Sequence, residues 1–328
     1  MEVAMKKFRL SFPAVLMVLG LLFCGTVSAA DQWPTRPINL TVCYAAGGTT
    51  DLSARMIASI LEKDLGQKVL CENKPGGAGV LAASLAAKQK PDGYNIFTLP
   101  TAAAVIAPHR QKLTYDPLKD LTPICQYATW HFGLVVKADS PFKSFDDLIQ
   151  YGKKHPGELS YGLSGSGNTQ HMVMLRIAMK TGINWKAVPF KSGPEAIGAV
   201  LGKHISMMAG VTEWVPQVQS GEMRLLAVFG DKRMKEFPDV PTLKELGYDI
   251  TAGAFLGLGG PKGIPESIVA KIDHAVAKAI KDPKFVELMD KMLFPIQYRG
   301  SKDFAQYIKE EYKNQGEIIR AAGLGITK

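Results

Sequence analysis

The stretch INLTVCYAAGGTTD, residues 38–51, decides the fold class of this chain. Its first half, residues 38–44, is apolar and rich enough in β-branched residues for a buried strand. Residues 45–51 then form a short loop of glycine and threonine. From Leu52 to Leu65 apolar residues recur at the spacing of a helix, which Gly66 ends. A strand that passes through a glycine loop into a helix indicates an α/β protein.

The same strand–loop–helix unit recurs along the chain. The pattern predicts strands over 69–72 and 94–99, with a loop and a helix between them, and the rhythm restarts with a strand over 132–137. Such alternation predicts parallel, doubly wound sheets, here in two halves. Further helices are predicted over 80–88, 145–153, 170–180, 268–280, 284–292 and 302–322, and further apolar segments over 159–162, 187–190, 197–201, 205–209 and 225–229.

Composition and charge indicate a globular protein of about two domains. The 328 residues are 46% hydrophobic and 21% charged, which excludes a disordered tail or a disulfide-dense miniprotein. The net charge of +9, which becomes +7 without residues 1–30, suits either plain solubility or a mild attraction of anions. Because no run of five basic residues occurs, we expect no nucleic-acid partner.

The first 30 residues have the pattern of a cleaved signal peptide. Lys6, Lys7 and Arg9 precede an apolar stretch over 10–27, and small residues follow at 28–30. Lipidation of Cys24 is an alternative, which the bulky Phe23 before it disfavours. We therefore expect a soluble protein exported to the periplasm, with residues 1–30 removed.

The mature chain keeps three cysteines, Cys43, Cys71 and Cys125, so that one disulfide at most can form. Neither a CxxC nor an HExxH spacing is present. We therefore expect no metal and no cofactor.

Two polar glycine loops, residues 47–51 and 164–169, are the candidate ligand sites. Each follows a strand and opens a helix, so that free backbone N–H groups and the positive helix end point at one place, which suits a carboxylate or a phosphate. The alternative is an ordinary capped helix start, with Asp51 and either Asn168 or Thr169 as caps. One loop in each half favours a ligand held between the halves.

Enzyme signatures are weak. Residues 77–82 fit a dinucleotide-binding glycine motif, but no acidic residue ends the strand that follows. Residues 162–166 fail the last position of a nucleophile elbow. His131, His171 and His204 have no paired acid nearby in sequence. Trp130 and Trp214 suit either a cleft lining or core packing.

A series of motifs along the mature chain resembles the solute-binding proteins of tripartite tricarboxylate transporters, the Bug/TctC type. In order they are WPTRPI (33–38), AGGTTD (46–51), ENKPGGAG (72–79), PDGY (91–94), YG with SGSGNTQH (161–162 and 164–171), VPFKSG (188–193), SGEMRLLAV (220–228) and FPDVPT (237–242). The resemblance implies a type II periplasmic-binding-protein fold, in which two doubly wound α/β lobes are joined by two crossing strands around a ligand cleft. Lobe 1 would comprise residues 31–130 and 254–328, and lobe 2 residues 131–253.

The resemblance also implies the ligand contacts. In lobe 1 these would be Gly47, Gly48, Thr49, Thr50, Asp51, Thr101 and Ala102, and in lobe 2 Ser164, Gly165, Ser166, Gly167, Asn168, Thr169, Lys191, Ser192, Gly193 and Thr212, the last within the stretch 211–213. We expect Asp51 to act as a structural cap, because a free carboxylate would repel a bound anion. Cys43 and Cys71 depart from the family pattern near the cleft and leave a disulfide open.

The function implied is an exported receptor that captures a small organic acid by hinge closure, without bond chemistry, and delivers it to membrane permease subunits. Such a receptor would be a monomer. Two alternatives stay open, a ligand sensor that acts on a signalling partner and an exported α/β enzyme. Tricarboxylates, dicarboxylates, aromatic acids and amino acids all suit the loops.

Overall fold

The computed structural model describes residues 32–164, 167–190 and 192–326. The predicted signal peptide lies outside these residues. The strands of the described chain are β1 Ile38–Val42, β2 Val69–Asn73, β3 Asn95–Pro100, β4 Leu121–Ala128, β5 Gly133–Lys137, β6 Ser160–Ser164, β7 Lys186–Phe190, β8 Met207–Gly210, β9 Met223–Val228, β10 Leu256–Pro261 and β11 Ile296–Arg299.

The helices connect these strands. They are α1 Thr49–Leu65, α2 Val80–Ala86, α3 Ala107–Arg110, α4 Phe145–Lys154, α5 Thr169–Thr181, α6 Gly193–Leu201, α7 Val215–Gln219, α8 Glu266–Ala279, α9 Pro283–Lys291 and α10 Ser301–Ala321. Short 3-10 turns cover Gly77–Gly79 and Thr212–Trp214, and a π-helical turn covers Ala102–Ile106. Within the described ranges, no helix is both long and apolar enough to cross a membrane.

The strands form two mixed sheets. The first has the order β11-β4-β10-β3-β1-β2, with β1 parallel to β2 and β3, and β10 antiparallel to both β3 and β4. The second has the order β7-β6-β8-β5-β9, with β5 antiparallel to β8 and β9. The expected doubly wound units are present, but the sheets are not purely parallel, since β5, β10 and β11 run against their neighbours. We call the first sheet with its helices lobe 1 and the second lobe 2.

Two crossings join the lobes and bring one edge of each sheet to face the other. Residues 129–132 lead from the end of β4 to the start of β5, and residues 229–255 lead from β9 back to β10. The Thr129 hydroxyl donates to the Ala254 carbonyl across 2.9 Å, which ties the crossings together. Because β1 and β3 also end at this edge, their loops face the ends of β6, β7 and β8. The exact lobe boundaries at 130/131 and 253/254 stay a prediction.

The side chains of β1 alternate between the core of lobe 1 and its surface. Ile38, Leu40 and Val42 are buried, whereas Asn39 is exposed. The buried face packs on α1 through residues such as Ile57. Burying an aliphatic side chain stabilises the fold by about 1.5–3 kcal/mol, so this unit forms a firm base for its loop.

Three strands were absent from the sequence prediction. β4, β10 and β11 contain prolines, glutamines and glycines in place of β-branched runs, yet β10 lies buried between β3 and β4. The predicted helices, α10 included, have the observed bounds to within two residues, except that α1 begins at Thr49, three residues before the predicted start. Cys43, Cys71 and Cys125 are free thiols. Residue 71 lies opposite Leu40 rather than Cys43, so the open disulfide is not formed.

Candidate functional site

The first glycine loop leaves the start of α1 without a side-chain cap. Gly48 is the N-cap residue and its backbone is extended, but it has no side chain to accept a bond from the first helical N–H groups. Gly48 and the loop residues before it, 45–47, are exposed. The first turn of a helix has unsatisfied N–H groups and a positive end of the dipole, so this start can accept an anion.

Asp51 is the third residue of α1 rather than its cap, which corrects the expected cap role. Its buried carboxylate accepts hydrogen bonds from the Gly47 N–H at 2.9 Å, from Arg55 Nε at 2.8 Å and from Asn73 Nδ2 at 2.8 Å. Burial acts to raise the pKa of Asp51, but these hydrogen bonds outweigh it and hold the pKa below its usual value. The Asp51 carboxylate therefore holds the loop in its conformation. The group that Asp51 can offer to a ligand at the helix start is its backbone N–H.

Thr101 also uses its polar groups within lobe 1. Its hydroxyl donates to the Phe255 carbonyl at 2.9 Å, and its N–H donates to the same carbonyl at 3.1 Å. The side chain is buried. Thr101 therefore fixes the end of β3 beside the crossing, and Ala102, which is half-buried, begins the turn that follows.

The second glycine loop is capped, in contrast to the first. The Asn168 side chain accepts from the His171 N–H at 3.1 Å at the start of α5, as expected for a cap. Its Nδ2 donates to the Ser164 carbonyl at 2.7 Å, which closes the loop on itself. Thr169 is buried as the first helical residue. Gly165 and Ser166 lie outside the described residues.

Gly167 contacts the other lobe, which the sequence did not reveal. Its φ of +76° favours glycine, and a Cβ at this position would overlap the guanidinium of Arg110, which ends α3 in lobe 1. The Gly167 N–H donates to His171 Nδ1 at 2.9 Å, so that nitrogen carries no proton. Burial first, and then the charge of Arg110, lower the pKa of His171. Arg110 thus reaches the second loop from across the cleft.

The third segment of lobe 2 comes from the ends of β7 and β8. Ser192 caps α6 through a 3.4 Å hydrogen bond from the Glu195 N–H, and Gly193 is buried as the first helical residue. Thr212 is half-buried in the turn after β8. Glu213, next to it, lies against Gly193. Lys191 lies outside the described residues.

The two tryptophans have different places. Trp214 is fully buried in the core of lobe 2 and donates to the Gly210 carbonyl at 3.2 Å, so its role is packing. Trp130 packs on Phe294 at the crossing. Together with some of the residues within 229–236, 251–254 and 286–297 it lines a cavity of about 670 Å³. In the first sheet β11 and β1 lie on opposite sides of β4 and β10, and in the second sheet β9 and β7 are the two outer strands. The cavity is on the β11 and β9 side, behind the hinge, whereas the glycine loops are on the β1 and β7 side.

The predicted site residues that the structure describes thus divide into two groups. The first group lies where strands end at the facing edges of the two sheets, and it comprises Gly47 to Thr50, Ser164, Gly167 to Thr169, Ser192, Gly193 and Thr212. Asp51 and Thr101 face inward from that edge. No group of three His, Cys, Asp or Glu side chains within the described ranges could hold a metal ion.

Comparison with known proteins gives consistent matches over the chain. Residues 53–324 match the family model described as the tripartite tricarboxylate transporter family receptor. The chain is 41% identical over 318 residues to the "UPF0065 protein in gbd 5'region" of Cupriavidus necator, and the match covers 96% of each chain.

Two solved structures resemble the whole fold. The R. palustris protein Rpa4515, solved with adipate, is 28% identical and superposes with a TM-score of 0.77 over 89% of this chain and 99% of that chain. MatC from Rhodopseudomonas palustris, solved with bound malate, is 28% identical with a TM-score of 0.73 over 88% of this chain and 100% of that chain.

Proposed function

The chain belongs to the tripartite tricarboxylate transporter receptor family, and from this premise we propose that it captures a small organic acid between its two lobes and hands it to a membrane transporter. The structures of two relatives contain adipate and malate, both of which are dicarboxylates. Those ligands belong to those proteins, and they support a carboxylate as the group that this chain recognises.

The observation that carries the proposal is the uncapped start of α1. Among the described helices that follow strands ending at the facing edges, α5 and α6 have a side-chain cap, from Asn168 and Ser192. In contrast, α1 begins after Gly48 with none, as does α2 after its 3-10 turn. A ligand carboxylate can take the place of the missing cap and accept from the backbone N–H groups of residues 49–51. The proposed contacts are therefore backbone groups, while Asp51 and Thr101 hold them in position.

Lobe closure would complete the site. The proposed second-lobe contacts are Ser164 to Thr169, Lys191 to Gly193 and Thr212, carried by the loops that face α1. The contact of Arg110 with Gly167 requires the lobes to be close, so it would form as they close on the ligand. Ligand binding then stabilises a state that the permease subunits can recognise.

The remaining parts of the proposal follow the family. The receptor would act in the periplasm after removal of residues 1–30, as a monomer without cofactor or metal, and without breaking a bond in its ligand. Its partners would be the permease subunits of a tripartite tricarboxylate-type transporter.

The test is ligand binding by residues 31–328, unfolded and refolded to remove carried-over ligand. We expect one class of organic acid to raise the melting temperature by several degrees, because ligand at 100 times its Kd adds about 2.7 kcal/mol of stability. Calorimetry should then give one site per chain and no product after prolonged incubation. If no carboxylate binds, or if the bound acid is converted, the proposal is wrong.

A further inference from the structure

Glu213 has an unusual place in the wall of lobe 2. It belongs to the 3-10 turn Thr212–Trp214, directly after β8 ends at the edge that faces lobe 1. A Cβ at Gly193 would lie 2.8 Å from Glu213 Cδ and 2.9 Å from its Oε1. Only a residue without a side chain at position 193 lets the carboxylate lie against the start of α6.

The carboxylate is both accessible and crowded. Glu213 is an exposed residue, yet the surrounding protein raises the pKa of its side chain above the usual value by desolvation. The two observations are compatible when a side chain lies on the wall of a concave surface, where solvent reaches it and protein atoms still surround it. This is the geometry of a residue that lines a binding cleft.

The carboxylate has no partner of opposite charge in the part of the chain that the structure describes. No other described residue makes an ion pair or a hydrogen bond to it, and the hydrogen bond that lowers its pKa comes from its own backbone. Asp51, Asp139 and Glu245, by contrast, each have a basic side chain within 3.0 Å. A carboxylate on the cleft wall to which the described protein donates no hydrogen bond can accept one from a ligand.

The position of Glu213 also affects the start of α6. A helix N-terminus attracts anions, but here a carboxylate of the chain itself already lies against the first helical residue, Gly193. A second carboxylate from a ligand would meet a like charge at this place. At the start of α1, by contrast, the Asp51 carboxylate is turned inward, where it accepts from the Gly47 N–H and from Asn73 Nδ2.

We propose that Glu213 is a specificity-determining residue that receives an ammonium or another cationic N–H group of the ligand. The receptor would then select an organic acid that also carries a positive donor, with its carboxylate at the start of α1, and would discriminate against plain dicarboxylates. This inference rests on the proposed function and names the ligand class of the same site.

The experiment compares acids that differ only in the group at one end. Residues 31–328, refolded free of ligand, are titrated by calorimetry with 4-aminobutanoate against glutarate, with 5-aminopentanoate against adipate, and with the standard amino acids. We expect the wild type to bind at least one amino-bearing acid about tenfold or more tightly than any dicarboxylate tested. In Glu213→Gln that preference should fall by about tenfold or more, while the fold is retained.

Glu195→Gln is the matched control, because Glu195 lies in the first turn of the same helix and is exposed. It should leave the preference unchanged. Tighter binding of dicarboxylates by the wild type, or an unchanged preference in Glu213→Gln, would overturn the inference and leave the proposed function intact. A lack of binding by every acid, dicarboxylates included, would instead contradict both.

Discussion

Two carboxylates near the facing edges of the lobes, Asp51 in lobe 1 and Glu213 in lobe 2, are in opposite states. Asp51 is buried and accepts three hydrogen bonds, from a backbone N–H, an arginine and an asparagine, and its pKa is lowered. Glu213 is exposed at a crowded wall without a donor from another described residue, and its pKa is raised.

The difference separates a structural role from a binding role. A carboxylate whose oxygens are fully engaged by the chain cannot serve a ligand, and it fixes the backbone that does. A carboxylate that the fold leaves without a donor is available to whatever enters the cleft. Lobe 1 therefore offers backbone N–H groups to an anion, while lobe 2 offers a negative charge to a donor.

The largest expected effect comes from placing a third carboxylate at the uncapped helix. Gly48→Asp should lower ligand affinity by about 100-fold or more, which is about 2.7 kcal/mol, because its charge and its capping oxygen both compete with the ligand carboxylate. The backbone of Gly48 is ordinary and its nearest neighbour would be 3.6 Å from a Cβ, so folding should survive. Calorimetry measures the loss, with Gly48→Ala as the uncharged control. Equal affinity in Gly48→Asp and wild type would exclude α1 as the anion site.

Removal of charge from the two carboxylates should affect stability in opposite ways. Asp51→Asn should destabilise the fold by about 2 kcal/mol, since a charged acceptor of three hydrogen bonds is lost. Glu213→Gln should leave the free energy of unfolding unchanged or raise it slightly. Urea denaturation of the ligand-free proteins gives both values. If Glu213→Gln destabilised as much as Asp51→Asn, the carboxylate would be structural and the comparison would fail.

The cross-lobe contact should have an intermediate effect on binding. Arg110→Ala should lower affinity by about tenfold, because the closed state loses its contact with Gly167. Small-angle scattering with ligand present should show a more open average shape than in the wild type. Arg36→Ala is the control, since Arg36 pairs with Asp92 at 3.1 Å and lies over the Tyr94 ring, both within lobe 1. A wild-type affinity in Arg110→Ala would show that this contact does not contribute to closure.

The smallest effect is expected in the pH dependence. Because the folded-state pKa of Asp51 is lowered, its contribution to stability is present above its unfolded pKa, near 3.8, and is lost as the pH falls through the folded value. Because the folded-state pKa of Glu213 is raised, protonation favours the folded state, and this contribution is present below about pH 4.5 and is lost as the pH rises through the folded value.

Stability of wild type and the two variants, measured between about pH 3 and 7, separates these signs. As the pH rises, the free energy of unfolding of the wild type should fall relative to that of Glu213→Gln. Over the same range it should rise relative to that of Asp51→Asn. If the free energies of unfolding of the two variants changed in parallel with pH, the opposite pKa shifts assigned to Asp51 and Glu213 would be contradicted.

The sequence could predict those elements whose residues are contiguous along the chain. β1, its glycine loop and α1 form one uninterrupted unit whose apolar spacing determines both elements, and the order of motifs along the chain indicated the family. β10 could not be found in the same way, because LGLGGP has the composition of a loop and is a strand only through its neighbours β3 and β4.

Contacts between distant residues were beyond the sequence for the same reason. Gly193 and Glu213 meet because β7 and β8 end at the same edge, and Gly167 meets Arg110 because the lobes face each other. The inward direction of the Asp51 side chain depends on Asn73, which lies on the neighbouring strand. No spacing in a single sequence records such pairs, although Glu213 lies in the stretch that the family resemblance placed at the cleft.

The most direct test of the account is a crystal structure of the mature chain with the tightest-binding acid of the calorimetric series. We predict that the ligand carboxylate accepts hydrogen bonds, directly or through one water, from the backbone N–H groups at the start of α1, and that its donor group lies within hydrogen-bond distance of Glu213. A carboxylate bound at lobe 2, or a ligand in the cavity behind the hinge, would contradict the account.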